Sequence, residues 1–268
     1  MSIYDETKFL MNKYDVHPNK KLGQNFLFDE NSLNNIVDGV TKDDVVVEIG
    51  PGLGNLTAML VERAKKVVAV ELDTNMIPIL KERFMLYDNI EIINDDILKI
   101  DIDKIAPNAK VVANLPYYIT TQIITNLLKT NLKNITILIQ KEVAERICAE
   151  PGSKLAGAIT YFANYYADCS IVDYVGKECF IPSPEVESAI VRMERLNKPR
   201  VNVKNEEVFF KLIKENFCKR RKTILNSIGN VAEKEKLVQI LNKLGISQSA
   251  RGETFTLQQF ADISNELQ

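Results

Sequence analysis

The chain has 268 residues, of which 46% are hydrophobic and 26% are charged, proportions that are ordinary for a soluble globular protein. This length allows one large domain, or a medium-sized domain followed by a small one. No apolar run approaches the length of a membrane span, and the N-terminus lacks the apolar core of a signal peptide, so a cytoplasmic protein without a membrane partner is expected.

The residue types that most often bind metals or activate nucleophiles are scarce. His17 is the only histidine, which excludes mechanisms that need two histidines and disfavours a histidine-activated nucleophile. No two cysteines have the C-x-x-C spacing, so neither a metal site nor a disulfide framework is predicted. The four cysteines are Cys148, Cys169, Cys179 and Cys218. The chemistry is therefore expected to come from a cofactor.

Charge is distributed unevenly along the chain. Residues 200–268 contain 12 Lys and Arg against 8 Asp and Glu, a net charge of +4. Because the whole chain has a net charge of −2, the remainder carries −6. The basic end is a weak electrostatic indication of an anionic partner, and it includes the run Lys219, Arg220, Arg221 and Lys222. This run either contacts phosphate or is a solvated helix face.

Seven segments rich in β-branched and apolar residues alternate with helical patterns. They are residues 44–50, 66–71, 90–98, 111–113, 135–139, 169–174 and 187–193. This alternation predicts an α/β fold with a mostly parallel sheet and an antiparallel edge near its end. Residues 1–20 are polar and are expected to form a flexible arm. Residues 196–205 predict a linker, after which the pattern is helical throughout.

A glycine-rich loop follows the first of these strands. Gly50, Gly52 and Gly54 stand at alternate positions, and a helical pattern begins directly after them. A strand, a glycine loop and a helix are typical of a nucleotide-cofactor site, where the backbone must approach the ligand closely. The dinucleotide fingerprint G-x-G-x-x-G would need glycine at position 55, which is Asn55. The loop therefore favours a nucleoside ligand without phosphate.

Acidic residues end the next two strands. Glu71 lies about 20 residues beyond the glycines, where a carboxylate can bind both ribose hydroxyls of a nucleoside, with Leu72 beside it. The alternative is a solvated acid at a strand end. Asp95 or Asp96 is predicted to accept a hydrogen bond from the amino group of an adenine in the cofactor. Because the two acids are adjacent, the sequence does not decide between them.

The stretch 21–29 offers two side-chain amides beside a flexible position. Gly23 permits a sharp turn, Gln24 and Asn25 can bind a ligand edge, and Phe26 and Leu27 would anchor the loop. The alternative is an ordinary turn before a helix capped at its N-terminus.

Residues 114–117 follow a short buried strand and combine three recognition groups. The Asn114 side-chain amide, the Leu115 carbonyl and the Tyr117 ring suit an amino group conjugated to a flat ring, as in adenine, and Pro116 ends the strand. The alternative is a strand followed by a proline turn. Further on, two prolines stiffen residues 180–188, which could hold Phe180 against the ligand or leave it in the core.

Five motifs occur in one order along the chain, at residues 21–27, 48–54, 114–117, 140–146 and 180–188. Together they resemble the ribosomal RNA small-subunit adenine dimethyltransferase family, whose bacterial member confers kasugamycin sensitivity. The resemblance extends from about residue 14 to the end and includes residues 220–223.

The resemblance implies a class I methyltransferase domain over residues 1–198 and a small all-α RNA-binding domain over 199–268. It implies that S-adenosylmethionine donates two methyl groups to N6 of each of two adjacent adenines in the 3′-terminal hairpin of 16S rRNA, within the immature 30S subunit. A monomer is expected. The family's cofactor contacts match Asn25, Leu27, Gly50, Glu71, Asp96 and Asn114.

Three other functions compete with this prediction. The sister family that methylates 23S rRNA and gives macrolide resistance shares the plan, but it typically has isoleucine in place of Leu115 and lacks the Gly-Pro-Gly-Leu-Gly loop. A non-catalytic ribosome assembly factor on the same fold is the alternative from another class. DNA and protein-glutamine methyltransferases have proline where this chain has Leu115.

Overall fold

The computed structural model describes residues 1–219, 222–229 and 231–268. They form two compact units, one of Met1–Ala144 with Ser170–Arg195 and the other of Glu145–Cys169 with Leu196–Gln268. The division predicted from the sequence falls at residues 198 and 199. In the structural units this boundary falls between Arg195 and Leu196, and the segment Glu145–Cys169 groups with the C-terminal helices.

Seven of the described strands coincide with the apolar, β-branched runs of the sequence, whereas the two strands of only two residues each do not. The strands are β1 (Phe26–Leu27), β2 (Val45–Ile49), β3 (Lys66–Glu71), β4 (Ile90–Asn94), β5 (Lys110–Asn114), β6 (Asn134–Gln140), β7 (Ala167–Val175), β8 (Phe180–Ile181) and β9 (Ser188–Arg195). In the described part of the chain, seven of them form one sheet in the order β4-β3-β2-β5-β6-β9-β7. The pairings among β2 to β6 are parallel and β9 runs antiparallel to β6, which confirms the predicted sheet.

The helices fill the connections between strands and form most of the second unit. They are α1 (Ile3–Lys13), α2 (Glu30–Val37), α3 (Asn55–Arg63), α4 (Met76–Arg83), α5 (Ile102–Ile105), α6 (Thr120–Leu127), α7 (Lys141–Ile147), α8 (Ala158–Tyr166), α9 (Glu206–Cys218), α10 (Ile224–Ser227), α11 (Lys234–Lys243) and α12 (Leu257–Leu267). None of the described helices is both long and apolar enough to cross a membrane.

The strand order creates a crevice at the carboxyl ends of the central strands β2 and β5. From β2 the chain moves outward to β3 and β4, and it then returns to build β5 and β6 on the other side of β2. The loops after β2 and β5 therefore diverge in opposite directions. A parallel sheet binds its ligands at such a switch point, outside the carboxyl ends of the strands.

The N-terminus differs from its prediction. Instead of a flexible arm, residues Ile3–Lys13 form α1, which begins at a Ser2 side chain that accepts from the Asp5 amide. Thr7 and Leu10 of this helix are buried. Ile3, Leu10 and Met11 have helical spacing and pack against the core, so the sequence does contain a signal for this helix. Contacts with distant segments of the chain stabilise it.

The stretch predicted as a loop around residue 26 contains a strand. β1 pairs antiparallel with β8, so that Leu27 lies opposite Phe180 and Phe26 lies opposite Ile181. Both Phe26 and Leu27 are buried, which agrees with their predicted role as anchors. The pairing joins segments about 150 residues apart, and a two-residue strand has no periodicity from which it could be predicted.

The second unit has an aromatic core. Tyr161 of α8 contacts the rings of Phe217 and Phe260 with centroids 5.2 and 5.1 Å apart, and Tyr165 contacts Phe209 at 5.3 Å. The predicted helical pattern after the linker is confirmed.

Candidate functional site

A cavity opens at the carboxyl ends of β2 and β5, with a volume of about 1090 Å³ when the solvent-filled space at its mouth is included. Most of its lining comes from residues 22–27, 48–53, 70–72, 95–97 and 114–119. These segments lie far apart in the sequence, and the strand order brings them together.

The glycine loop forms the floor of this cavity. Gly50 has a φ of +68°, and a Cβ built on it would meet nothing within 4 Å, so the space above its backbone is open. At Gly54 the constraint is steric, because a Cβ there would lie 2.7 Å from the Phe84 ring. The prediction that a Cβ would obstruct the ligand thus fits Gly50, whereas Gly54 is required by helix packing.

Glu71 is fixed by the backbone around it. Its Oε2 accepts from the Gly52 amide at 2.9 Å, and its Oε1 accepts from the Asp73 amide at 2.8 Å. Burial raises the pKa of the carboxyl, and these two backbone donors oppose the shift. Each oxygen keeps a second lone pair, so the group remains able to accept two hydroxyls.

Gln24 joins two walls of the cavity. Its Nε2 donates to Asp73 Oδ2 at 2.7 Å, and its Oε1 accepts from the Asn19 amide at 2.8 Å. The side chain lines the cavity as predicted, but its amide is engaged within the protein at both ends. Its position therefore ties residues 19–24 to the segment that follows β3.

The outer wall carries Leu72, Asp95 and Asp96. Leu72 is 47% exposed, which gives a flat apolar surface at the rim. Asp95 Oδ1 accepts from the Asp96 amide at 2.7 Å, and Asp96 Oδ1 accepts from the Leu98 amide at 3.0 Å. Within the described residues, the second oxygen of each carboxylate has no hydrogen-bond partner.

The Asn114 side chain has a defined orientation. Its Nδ2 donates to the Asn25 carbonyl at 2.9 Å. Because a carbonyl can only accept, the amide nitrogen must face it, and Oδ1 is directed away. Leu115 donates its amide to the Leu138 carbonyl at 3.1 Å. Across the described part of the chain, neither Asn114 Oδ1 nor the Leu115 carbonyl accepts a hydrogen bond, so two acceptors stand at successive residues of the cavity wall.

Tyr117 is anchored at its hydroxyl, whereas Phe180 is not in the cavity. The Tyr117 hydroxyl bonds Ser188 Oγ at 2.6 Å, and burial raises the pKa of this phenol. Pro116 completes the turn, and its carbonyl accepts from Thr120 Oγ1 at 2.9 Å. Phe180 is 3% exposed and belongs to the hydrophobic core. Its pairing in the short sheet with β1 removes it from the predicted position against a ligand.

Glu48 is a cavity residue that the sequence reading missed. It is 1% exposed, and its two carboxylate oxygens find no partner among the described residues. Burial raises its pKa to about 8. The signal was present in the sequence, because one charged residue interrupts the aliphatic run of β2 just before the glycine loop.

The basic run belongs to the second unit. Lys219 Nζ lies 3.5 Å from Glu215 Oε2 and donates to the Ser227 carbonyl at 3.2 Å. Lys222 is exposed. Arg220 and Arg221 lie outside the described residues. In the part of the chain that the structure covers, no group of three or more His, Cys, Asp or Glu side chains is placed to hold a metal ion.

The glycine loop after β2, the acid at the end of β3 and the sheet order define a class I methyltransferase fold. Two solved structures share it: a dimethyladenosine transferase from Plasmodium falciparum (TM-score 0.78, 25% identity, 89% of this chain and 95% of that chain), and the 23S rRNA methyltransferase ErmE (TM-score 0.70, 26% identity, 91% of this chain and 99% of that chain). The ribosomal RNA small subunit methyltransferase A of Clostridium botulinum (strain Loch Maree / Type A3) is 46% identical over 97% of each chain. The ribosomal RNA adenine dimethylase family model matches residues 16–268. The chain belongs to this family, and the predicted resemblance is confirmed.

Proposed function

We propose that this protein transfers methyl groups from S-adenosylmethionine to N6 of adenine in small-subunit ribosomal RNA. Two methyl groups go to each of two adjacent adenines in the 3′-terminal hairpin of 16S rRNA, within the immature 30S subunit. Membership of the family supports the reaction, and the cavity at the switch point of the sheet supports the site.

The residues around the glycine loop fit this cofactor. The open space at Gly50 admits a ligand against the backbone, and the remaining lone pairs of Glu71 suit two ribose hydroxyls. Leu72 offers an apolar surface to an adenine ring, and Asp95 or Asp96 accepts its amino group. Asn25 and Leu27 complete the wall. When bound, S-adenosylmethionine supplies a methyl group that its sulfonium has already activated, so the protein needs no strong base.

The observation that carries the proposal is the orientation of the Asn114 amide. Adenine N6 is a poor nucleophile, because its lone pair is delocalised into the ring. As N6 attacks, positive charge develops on the nitrogen and its N–H groups become stronger donors. Asn114 Oδ1 and the Leu115 carbonyl are the two acceptors placed to stabilise that charge. Both acceptors are held before the reaction begins. The Asn25 carbonyl fixes the Asn114 amide, and the Leu115 carbonyl is part of the backbone.

The base must leave its helix to reach these acceptors. An enzyme that modifies a base extrudes it and reads it by hydrogen bonds and stacking. The Tyr117 ring, anchored by Ser188, is the aromatic surface on which the extruded adenine rests. Alignment of N6 with the methyl group contributes roughly 7–11 kcal/mol in ideal cases.

Two observations bear on which RNA is used. The relative that is 46% identical carries a small-subunit name, whereas ErmE, at 26% identity, carries a 23S name. The chain also has Leu115 within the motif where the large-subunit family typically has isoleucine. Both observations favour small-subunit ribosomal RNA as the substrate.

The test is Asn114→Ala. We expect kcat to fall on the order of 10²–10³-fold, as when one preorganised polar group is lost from a reacting centre, with a much smaller change in cofactor affinity. Labelled S-adenosylmethionine and immature small subunits from a strain that lacks the enzyme give the rate, and calorimetry gives the affinity. Asn126→Ala, on the exposed face of α6, is the matched control.

Two outcomes contradict the proposal. An unchanged rate in Asn114→Ala would remove the amide from the reaction. Wild-type protein that binds immature subunits but transfers no methyl group would favour the assembly-factor alternative. Offering large-subunit RNA in the same assay, with mass spectrometry of its adenines, distinguishes the 23S alternative.

A further inference from the structure

Tyr118 stands at the mouth of the cavity with its ring in the open. It lines the cavity, yet 56% of its surface is exposed. Tyr117, its neighbour in the same turn, is half-buried and anchored to Ser188. Two successive tyrosines thus face different surroundings, one inside the site and the other at its rim. The mechanism proposed above uses only the first.

The Tyr118 ring rests against a second segment of the cavity wall. An ideal Cβ built on Gly23 would lie 3.5 Å from Tyr118 Cδ1 and 3.7 Å from Cε1, so one edge of the ring runs beside the Gly23 backbone. Gly23 has a φ of +63° and donates its amide to the Lys20 carbonyl at 3.1 Å. This contact supports the ring at one edge and leaves much of its surface accessible to solvent.

The charges around the cavity favour a nucleic-acid strand on this side. The wall formed by the ends of β3 and β4 carries Glu71, Asp95 and Asp96, which repel phosphate. Lys20 and Lys21 are exposed on the short 3₁₀ turn that leads into Gly23. Because phosphates are drawn to lysine and away from carboxylates, the RNA backbone beside the target base is expected to pass on the Gly23 side.

We infer that Tyr118 is a stacking platform for the nucleobase next to the target adenine in the RNA. This inference rests on the proposed function. A base whose neighbour is extruded loses one stacking partner, and an exposed aromatic ring can replace it. Stacking on an aromatic side chain is tolerant of sequence, because every base has a π-face. Tyr118 would therefore act in holding the opened strand, with no part in binding the cofactor.

The test compares Tyr118→Ala and Tyr118→Phe with wild type. Tyr118→Ala should raise the KM for RNA by roughly 5- to 150-fold, the fold-change that corresponds to losing one stacked base, whereas Tyr118→Phe should retain the wild-type KM because the ring is kept. The Kd for S-adenosylmethionine should stay within about twofold in both variants, which also shows that they are folded.

A spectroscopic measurement separates stacking from a merely structural effect. 2-Aminopurine is placed in the RNA on either side of the target adenine in turn, and its fluorescence is recorded on binding. We expect quenching at one of the two positions with wild type and Tyr118→Phe, and loss of that quenching with Tyr118→Ala. One ring offers one platform, so the other position should respond equally in all three proteins.

Tyr87→Ala is the control. Tyr87 is also partly exposed, but it lies between α4 and β4, at the amino ends of the parallel strands and therefore on the opposite side of the sheet from the cavity. Wild-type KM and unchanged 2-aminopurine fluorescence in Tyr118→Ala would overturn the inference while leaving the proposed function intact. Absence of methyl transfer by the wild type in the same assay would overturn both.

Discussion

Glu48 is a carboxyl group inside a strand whose other side chains are aliphatic. Transfer of an ionised carboxylate into such surroundings is costly, and the group responds by holding its proton. Burial raises the pKa of Glu48 to about 8 from an ordinary 4.5. The nearby Glu71 carboxylate acts in the same direction, and Arg83 opposes it. A protonated Glu48 is thus the form that the folded protein prefers at neutral pH.

This preference predicts a pH dependence of stability. The unfolded carboxyl ionises near its ordinary pKa, whereas the folded one keeps its proton up to about pH 8. Unfolding therefore releases a proton in this range, and the free energy of unfolding falls as pH rises from about 4.5 to about 8. Glu48→Gln cannot ionise, so it should abolish this contribution and gain on the order of 2–4 kcal/mol relative to wild type near pH 8.

Urea unfolding at a series of pH values from about 5 to 9 measures the effect. Glu194→Gln is the matched control, because Glu194 is exposed on β9 of the same sheet and should change stability by less than about 0.5 kcal/mol. Parallel stability curves for wild type and Glu48→Gln would contradict the prediction.

At the scale of elements, the N-terminus of α3 joins three other segments through Asn55. Its Nδ2 donates to Thr7 Oγ1 of α1 at 2.8 Å and to the Leu27 carbonyl of β1 at 2.9 Å. Its Oδ1 accepts from Arg83 of α4 at 3.2 Å. The residue that breaks the dinucleotide fingerprint is therefore a structural junction, and it connects α1 to α3.

Asn55→Ala should lower the free energy of unfolding by about 1–3 kcal/mol, because it leaves buried hydrogen-bonding groups without partners. Chemical denaturation measures the loss. Asn12→Ala, on the exposed side of α1, tests whether any asparagine in this region has the same effect and should be nearly neutral. If both variants unfold at the same denaturant concentration as wild type, the junction does not stabilise the fold.

The elements show which parts of the structure a sequence can reveal. The strands of the main sheet could be predicted because continuous β-branched runs are needed to fill a parallel sheet that is buried on both faces. The capping of α12 could also be predicted, since Thr256 and Gln259 form a capping box. In contrast, the β1–β8 pair depends on contacts between distant residues. The position of Phe180 depends on that pairing, so the sequence left open whether its ring lies against the ligand or in the core.

At the scale of the whole molecule, most of the predicted site assembles because the strand order brings distant loops to one edge. Each strand end could be located in the sequence, and the switch point between β2 and β5 follows from the parallel topology. The orientation of Asn114 could not be foreseen, because it depends on the Asn25 carbonyl of another segment. The burial of Glu48 could be, because this residue lies within the aliphatic run of β2. Charge is also divided, with +4 over residues 200–268 and −6 over the rest.

This division of charge predicts where RNA affinity arises. The segment with the cavity is acidic, so the phosphate contacts are expected to come mainly from local basic groups, among them Arg220 and Arg221. Arg220→Glu with Arg221→Glu should weaken RNA binding and reduce the slope of log K against log salt by roughly 1–2, because each lost phosphate contact removes about 0.7–0.9. Filter binding or fluorescence anisotropy over a range of salt concentrations gives the slope.

The control changes net charge by the same amount elsewhere. Lys42 and Lys65 are exposed in the segments that lead into β2 and β3. They lie at the amino ends of these strands, away from the cavity. Lys42→Glu with Lys65→Glu should leave the salt slope near that of wild type, because a slope counts phosphate contacts and not overall charge. If both double variants give the wild-type slope, the arginines are solvated surface. If both reduce it equally, the effect comes from the long-range field of the molecule, and the basic run has no special role in binding.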